Sequence, residues 1–310
     1  MNHRLKPFLL ATCLSALFAP AGAWASYVCI TAPYVQGGVQ TQGCVDSDQG
    51  YSGFGNAQQT SAWGVSGDAS GEYRGGAWST SQSVDLATGV MRSKLLYASG
   101  PDDLGEYQLG TYLDASDRIV FAGSGQAVFR MHLTGAFTGQ AHRNYGNTMD
   151  TSLDLYSERR RDDVLGRIHL DHNGANPGQA SFDPGTTCGW DYGLGPVRCT
   201  VNSLAADLID IVLSVTVNDI TDGEAFQFFS SLNVQAYGPR LGGSDFGNTA
   251  RLSVQLSDGL SFTSDSGALL TQVDDTTPPD SNDVPEPASG ALAAIGLVLA
   301  GALRRRVRSA

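Results

Sequence analysis

The chain has 310 residues, with 19 Lys and Arg against 31 Asp and Glu and a formal net charge of −12. Six of the basic residues, Arg4, Lys6, Arg304, Arg305, Arg306 and Arg308, sit at the two ends, so the part between is more acidic still. That balance argues against nucleic acid or an anionic membrane surface as partner, since both need a basic face. It fits a soluble extracellular protein, a cationic partner, or divalent cations shared with an acidic polysaccharide. With 38 glycines and only 16% charged residues, the composition is that of many short strands joined by turns.

The N-terminus reads as an export signal. Arg4 and Lys6 form a positive start, Phe8 to Ala19 is apolar, and Ala23-Trp24-Ala25 is a small-x-small cleavage pattern. Residues 1–25 are therefore expected to leave as a Sec signal peptide, with the mature chain starting at Ser26. Cys13 leaves with it. The remaining Cys29, Cys44, Cys188 and Cys199 are an even number in an oxidising compartment, which predicts two disulfides. Three pairings are open, and the sequence-local one, Cys29 with Cys44 and Cys188 with Cys199, is preferred. Each such clip adds about 3 kcal/mol in the loop-entropy picture.

Residues 26–273 predict one all-β body, an antiparallel two-sheet sandwich. Tyr27 to Ile30 is a first strand, and Tyr51 to Gly76 reads as loops with short strands near Trp63 and Tyr73. Asp46-Ser47-Asp48-Gln49-Gly50 resembles the opening of a calcium loop but lacks its later ligands, which makes it a turn. Trp78 to Leu86 and Val90 to Tyr97 flank Ala87-Thr88-Gly89 as a hairpin. Arg118 to Phe121 and Ala127 to Leu133 follow; in the latter Phe129, Met131 and Leu133 face inward and Val128, Arg130 and His132 outward. Leu153 to Tyr156 and Arg167 to Leu170 are short strands around the charged run Glu158 to Asp163, a solvated loop. Residues 171–200 read as a loop-rich insertion. Ile209 to Val217 and Ala225 to Tyr237 alternate strictly, and Arg251 to Phe262 turns at Asp258-Gly259. One wet face per strand is the signature of a sandwich.

No residue pattern predicts an enzyme. No serine has the glycines of a nucleophile elbow, and His169-Leu170-Asp171-His172 reads as polar residues entering the Asn173-Gly174 turn. The acidic pairs Asp102-Asp103, Asp162-Asp163 and Asp222/Glu224 lie in loops where acids are usual, with no spacing that singles one out. Of the aromatic candidates Trp63, Trp78, Trp190 and Tyr192, Trp78 is assigned to the core. Trp190 and Tyr192, in the cysteine-closed loop, are a candidate platform for a sugar ring. No metal or organic cofactor is implied.

Residues 274–283, DDTTPPDSND, are an acidic, proline-containing linker too polar to pack. The last stretch, 284–310, has three parts: Val284-Pro285-Glu286-Pro287, an apolar run from Ala288 to Leu303, and Arg304-Arg305-Arg306. The prolines forbid a helix through the first part. The apolar run has 16 residues, short of the roughly 20 of a permanent span, and the arginines act as a cytoplasmic stop.

This arrangement resembles the PEP-CTERM sorting signal of Gram-negative bacteria. The resemblance implies membrane insertion of the tail, processing by an exosortase near Pro285-Glu286-Pro287, and delivery of the body to the cell surface or matrix. The stretch Ser244 to Leu252 and the following Asp258 to Gly267 resemble the last part of PEP-CTERM cargo domains, a resemblance that implies a jelly-roll-like or other two-sheet β-sandwich body. The expectation is thus a non-enzymatic, exosortase-sorted surface or matrix protein associated with exopolysaccharide or biofilm, passing through an inner-membrane intermediate and binding no nucleic acid. A secreted carbohydrate-active enzyme and a single-pass anchored periplasmic domain are the alternatives.

Overall fold

A computed structural model describes residues 26–35, 38–73, 76–98, 108–139, 146–173, 189–190, 194–205, 207–237 and 242–271. The chain divides into two units, Met1–Val273 and Asp274–Ala310. The predicted signal peptide, the linker and the C-terminal tail lie outside the described residues, as do Cys188 and Tyr192. Among the described residues no helix is long and apolar enough to cross a membrane.

Seventeen strands form the body: β1 (Tyr27–Val35), β2 (Gly38–Asp46), β3 (Gly50–Phe54), β4 (Gln58–Ser61), β5 (Gly64–Tyr73), β6 (Gly76–Asp85), β7 (Val90–Ala98), β8 (Gln108–Ala122), β9 (Gly125–Gly139), β10 (Gly146–Ser157), β11 (Asp162–Asn173), β12 (Gly189–Trp190), β13 (Val197–Ala205), β14 (Leu208–Ile220), β15 (Ala225–Tyr237), β16 (Gly242–Leu256) and β17 (Ser261–Ser264). They pair antiparallel in two sheets. One has nine strands in the order β12-β11-β10-β15-β8-β1-β2-β3, with β17 also on β8. The other has eight, in the order β13-β14-β9-β16-β7-β6-β5-β4. The two-sheet sandwich expected from the alternating pattern is present.

Period-2 side-chain alternation explains the core. In β14 Ile211, Leu213, Val215 and Val217 are buried while Val212, Ser214 and Thr216 are half-buried on the other face. In β15 Phe226, Phe228, Leu232, Val234 and Ala236 point inward, and in β9 Phe129, Met131 and Leu133 do. Aromatic rings lock the sheets together: Phe129 of β9 and Phe228 of β15 meet across the sandwich with ring centroids 6.2 Å apart. The β6–β7 hairpin turns where expected, with Gly89 at φ 64° and Asp85 Oδ1 accepting the Thr88 N–H.

The first quarter of the body is more ordered than its composition suggests. Tyr51 to Gly76, read as loops, holds most of β3 and all of β4 and β5. β3 and β4 are exposed along their whole length, so they lack the apolar alternation that marks a strand. The Asp46 to Gly50 stretch is the β2–β3 turn: Asp46 Oδ1 accepts the N–H groups of Asp48 and Gln49. The predicted strands at Arg118, Leu153 and Arg167 are the ends or middles of strands twelve to fifteen residues long. His169 to His172 remains strand to Asn173 instead of entering a turn. The expected loop insertion at 171–200 contains β12 and the start of β13.

The Ser244 to Leu252 segment lies within a single strand, β16. β16 begins at Gly242 and carries a bulge, where Asp245 pairs with Ala136 and Thr249 with Thr134. The extra residues give Phe246 room to lie over Gly135, where a Cβ would come within 2.3 Å of the Phe246 ring. Phe246 is fully buried and packs edge to face on Phe137. After Asp258-Gly259 the chain changes sheets, since β16 belongs to one and β17 pairs with β8 in the other.

Cys29 and Cys44 are bonded, opposite each other on β1 and β2 with Cα atoms 4.2 Å apart. That separation is the close pair of an antiparallel ladder, where side chains reach across. Cys199 is disulfide-bonded too; its expected partner, Cys188, lies outside the described residues.

Between the sheets runs a thin polar seam. Ser93 and Thr111 share a 2.6 Å hydrogen bond that joins β7 to β8 across the sandwich. Asn147 Nδ2 donates to the Gly243 carbonyl, joining β10 to β16. Beside this seam Gln82 is buried with neither end of its amide bonded to a described residue, a cost of about 1–3 kcal/mol.

Candidate functional site

The outer face of the nine-stranded sheet collects the chemistry. Its residues occupy the outward positions of β11, β10, β15, β8 and β1, and the register sets them in lines across the strands. One line runs His169, Asp150, Asn233, Tyr112, Thr31. The next runs Arg167, Ser152, Ser231, Asp114, Cys29, and the third Leu165, Asp154, Phe229, Ser116, Tyr27. Successive lines are two residues apart along each strand, because only alternate side chains share a face.

Within this surface Asp150 is the organised centre. Its Oδ1 accepts from Arg167 Nη2 at 2.8 Å and lies 2.8 Å from His169 Nδ1. Burial alone would raise its pKa, but the hydrogen bonds from His169 and Arg167 outweigh it and hold the carboxyl below the usual range. Asp114 and Asp154 are the reverse case. Burial pushes Asp114 up to about 6. Burial, and then the charge of Asp163, push Asp154 up to about 6 as well. Asp154 Oδ1 and Asn233 Oδ1 are buried acceptors with no donor among the described residues.

Aromatic surface alternates with these polar groups. Tyr112 is 40% exposed, with Gln235 Nε2 donating to its hydroxyl. Phe229, Tyr27 and Tyr156 are half-buried on the same face. Ser152 and Ser231 share a 2.7 Å hydrogen bond. An aromatic ring covers an apolar C–H face, while the solvent-facing atoms of half-buried carboxyls, amides and hydroxyls exchange hydrogen bonds with sugar hydroxyls. The combination suits a polyhydroxylated ligand on an open surface.

The raised carboxyls make a stability prediction. An unfolded Asp loses its proton near pH 4, whereas folded Asp114 and Asp154 hold theirs to about pH 6. Across that interval the folded state binds more protons, so stability falls as pH rises and stays lower above it. Asp154→Asn removes its share. The variant is expected to match the parent below pH 4 and to exceed it at pH 7 by about 1–2 kcal/mol, a figure reduced for partial solvation. Urea melts across pH check this.

Of the residues singled out by sequence, Trp190 sits in β12 opposite Leu165, at the edge of this face by backbone register; Tyr192 and Asp102-Asp103 lie outside the described residues. Trp78 is buried as expected, and Trp63 packs half-buried against the core. Asp222 and Glu224 are not a free acidic pair: Asp222 Oδ1 accepts the Gly123 N–H, and Glu224 is bound by Arg160 at 2.8 Å. The run Glu158 to Asp163 is likewise more than a solvated loop, since Glu158 also pairs with Arg118 at 2.7 Å. No group of three or more His, Cys, Asp or Glu among the described residues is placed to hold a metal ion. Sequence reading passed over Asp114, Asp150 and Tyr112. Their outward positions in alternating strands were the available signal, but strand register is needed to bring them together.

The remaining information comes from comparison with known proteins. A profile of the PEP-CTERM protein-sorting motif matches residues 283–307. That segment contains Val284, Pro285, Glu286, Pro287 and Arg304 to Arg306, all outside the described residues. No curated protein and no solved structure matches the chain.

Proposed function

We propose that the protein carrying this sorting motif is exported, processed by an exosortase, and delivered to the cell surface or extracellular matrix, where its β-sandwich binds exopolysaccharide without chemical turnover. The observation that carries the reading is the PEP-CTERM motif at residues 283–307. The Ala288–Leu303 run serves as a temporary membrane anchor, held by Arg304 to Arg306, until processing near Pro285-Glu286-Pro287. A cross-strand disulfide at Cys29–Cys44 agrees with an oxidising destination.

The polysaccharide partner rests on the outer face of the nine-stranded sheet. Its alternation of Tyr112 and Phe229 with Asp114, Asp154 and Asn233 offers stacking and hydrogen-bonding positions in repeated lines. The reading without turnover is supported by the sequence, which has no nucleophile elbow and no acid pair that its spacing singles out.

The test is affinity electrophoresis of the exported, processed protein in gels containing the producing cell's own neutral exopolysaccharide. Retardation is expected, with Tyr112→Ala weakening it at least about tenfold, as for loss of a stacked ring. An unretarded parent protein, or a Tyr112→Ala variant that binds as well as the parent, contradicts the reading.

A further inference from the structure

The opposite side of the sandwich has a different chemistry. Of the ten Lys and Arg among the described residues, Arg92, Lys94, Arg130, Arg198 and Arg251 all lie on the outer face of the eight-stranded sheet. Three of the other five are engaged by carboxylates: Arg118 by Glu158, Arg160 by Glu224 and Arg167 by Asp150. The acidic excess of the chain is therefore not evenly spread: on this face the cations gather on β7, β9, β13 and β16, while the acids Asp68, Glu72 and Asp85 lie on β5 and β6.

Register draws the arginines into a diagonal band. Arg198 faces Ser214, and Ser214 faces Arg130, so the two arginines flank one serine about 9–10 Å apart. Arg130 faces Ser253, two residues from Arg251, a diagonal neighbour at about 7–8 Å. Met91 faces Ala250, which sets Arg92 beside the β16 bulge as the next step. Lys94, at the end of the band, is paired with Asp245.

Among the described residues the band has no carboxylate partner beyond that of Lys94. Arg92, Arg198 and Arg251 are exposed and enter none of the ion pairs, and Arg130 Nη2 donates to the neutral Gln255 Oε1. The acids on this part of the face are occupied, Asp210 by His132 and Asn202 and Asp245 by Lys94. Unpaired guanidinium groups gathered on one face of an otherwise acidic body are matched by a partner that carries spaced anions.

We propose that this band is a binding surface for a linear polyuronate, an acidic polysaccharide with one carboxylate on each sugar. Guanidinium forks match planar carboxylates in bidentate pairs, which a point-charge lysine does not. A flat sheet face suits an extended chain lying across several strands. Duplex DNA is a poorer match, since it packs one charge into about every 1.7 Å of its axis. The acidic remainder of the body repels that density far more than it repels one charge per sugar. The surface is independent of the neutral-glycan face on the other sheet, and together the two faces make the sandwich a cross-link between different polymers.

The test uses the exported, processed protein in native gels containing polygalacturonate, neutral dextran or duplex DNA. Retardation by polygalacturonate but not dextran is expected, weakening between about 50 and 200 mM salt as paired charges are screened. The Arg130→Gln, Arg251→Gln double variant is expected to lose at least tenfold in affinity with an unchanged melting temperature. The Arg159→Gln, Arg161→Gln double variant, in the β10–β11 turn, serves as a charge-matched control and retains binding. No retardation by polygalacturonate, an equal loss in that control, or tighter binding to DNA overturns the proposal. Tyr112→Ala separates it from the preceding reading, because that variant keeps polygalacturonate binding while losing the neutral polymer.

Discussion

Asp117→Ala is expected to destabilise the body by about 3–5 kcal/mol, from lost hydrogen bonds to a buried carboxyl. Asp117 lies on the inward side of β8 and is fully buried. Its Oδ1 accepts from Ser26 Oγ at 2.6 Å, from the Ser266 N–H at 3.2 Å and from the Arg118 N–H at 2.9 Å. Its Oδ2 accepts from Ser266 Oγ. β1 and β17 lie end to end along the same edge of β8, from Tyr27 opposite Ser116 to Ser264 opposite Ile119. Asp117 fills the joint between them.

One side chain therefore ties the first residue of the expected mature chain to the turn that precedes the linker and sorting tail. The same joint holds Asp265 N–H on the Arg118 carbonyl and seats Leu269 and Leu270 in the core. Hydrogen exchange of the amides at 261–271 should accelerate with the global loss of stability, and earlier than exchange in β9. Asp117→Asn keeps part of the network and should cost less than Asp117→Ala. A loss under about 1 kcal/mol for the alanine variant, the range of ordinary surface changes, would show that the joint is held elsewhere.

Glu224→Gln is the second large effect, at about 2–4 kcal/mol near neutral pH for a broken buried ion pair with a partly solvated partner. The Glu224 side chain is wholly buried against an Arg160 that is 24% exposed. Its Oε1 accepts from Ser157 Oγ and its Oε2 from the Thr221 N–H and hydroxyl. Arg160 also donates to the carbonyls of Asn218 and Asp219, and Asp219 adopts φ 53°. The network pins the β10–β11 turn to the β14–β15 turn, so one link joins two sheets at one end of the sandwich.

Burial alone would raise the Glu224 pKa, but the Arg160 hydrogen bond, then those of Thr221 and Ser157, hold it below the ordinary value. The folded state therefore releases this proton more readily than the unfolded chain. The stabilisation is complete above the unfolded pKa and is lost as pH falls through the folded one. The difference between Glu224→Gln and the parent should accordingly shrink in acid, as seen by urea melts at neutral and low pH. A difference that is constant with pH would mean that the carboxylate charge contributes nothing.

How much of this was legible in the sequence differs by region. β14 and β15 alternate apolar and polar residues along most of their length, with Val212 and Phe229 outward and Ser230 inward as the exceptions, so their type and most of their inward faces follow from side-chain period alone. The β6–β7 hairpin was legible because Gly89 supplies a positive φ that other residues resist. β2 and β5 were not, because Thr41, Gly43, Gly67 and Ala69 fill inward positions where small or polar residues hide the apolar alternation. β3 and β4 were not either, since Gly, Gln and Ser fill exposed edge strands that pairing to a neighbour, and not burial, holds. The β16 bulge escaped notice because the void that Phe246 fills, over Gly135, belongs to a different strand.

The sites follow the same logic. Period 2 through Leu109, Thr111, Leu113, Ala115, Asp117, Ile119 and Phe121 does set Asp117 inward, and an acid in that series was a signal of a buried network. The arginine band carried no such mark. Arg92, Arg130, Arg198 and Arg251 are far apart in sequence and each is an ordinary outward residue, so only the register joins them. The sorting tail is the opposite case: prolines, apolar run and arginines are contiguous, and their chemistry needs no tertiary context.

The most direct test of the whole account is the intact mass and cell fraction of the native protein, compared with Pro287→Ala and with cells lacking the exosortase. The account predicts an exported body that begins at Ser26, lacks the arginine tail and is two hydrogens lighter for each disulfide, with the tail retained at the inner membrane in both controls. A full-length tail in the inner membrane of the unmodified strain as well would contradict it.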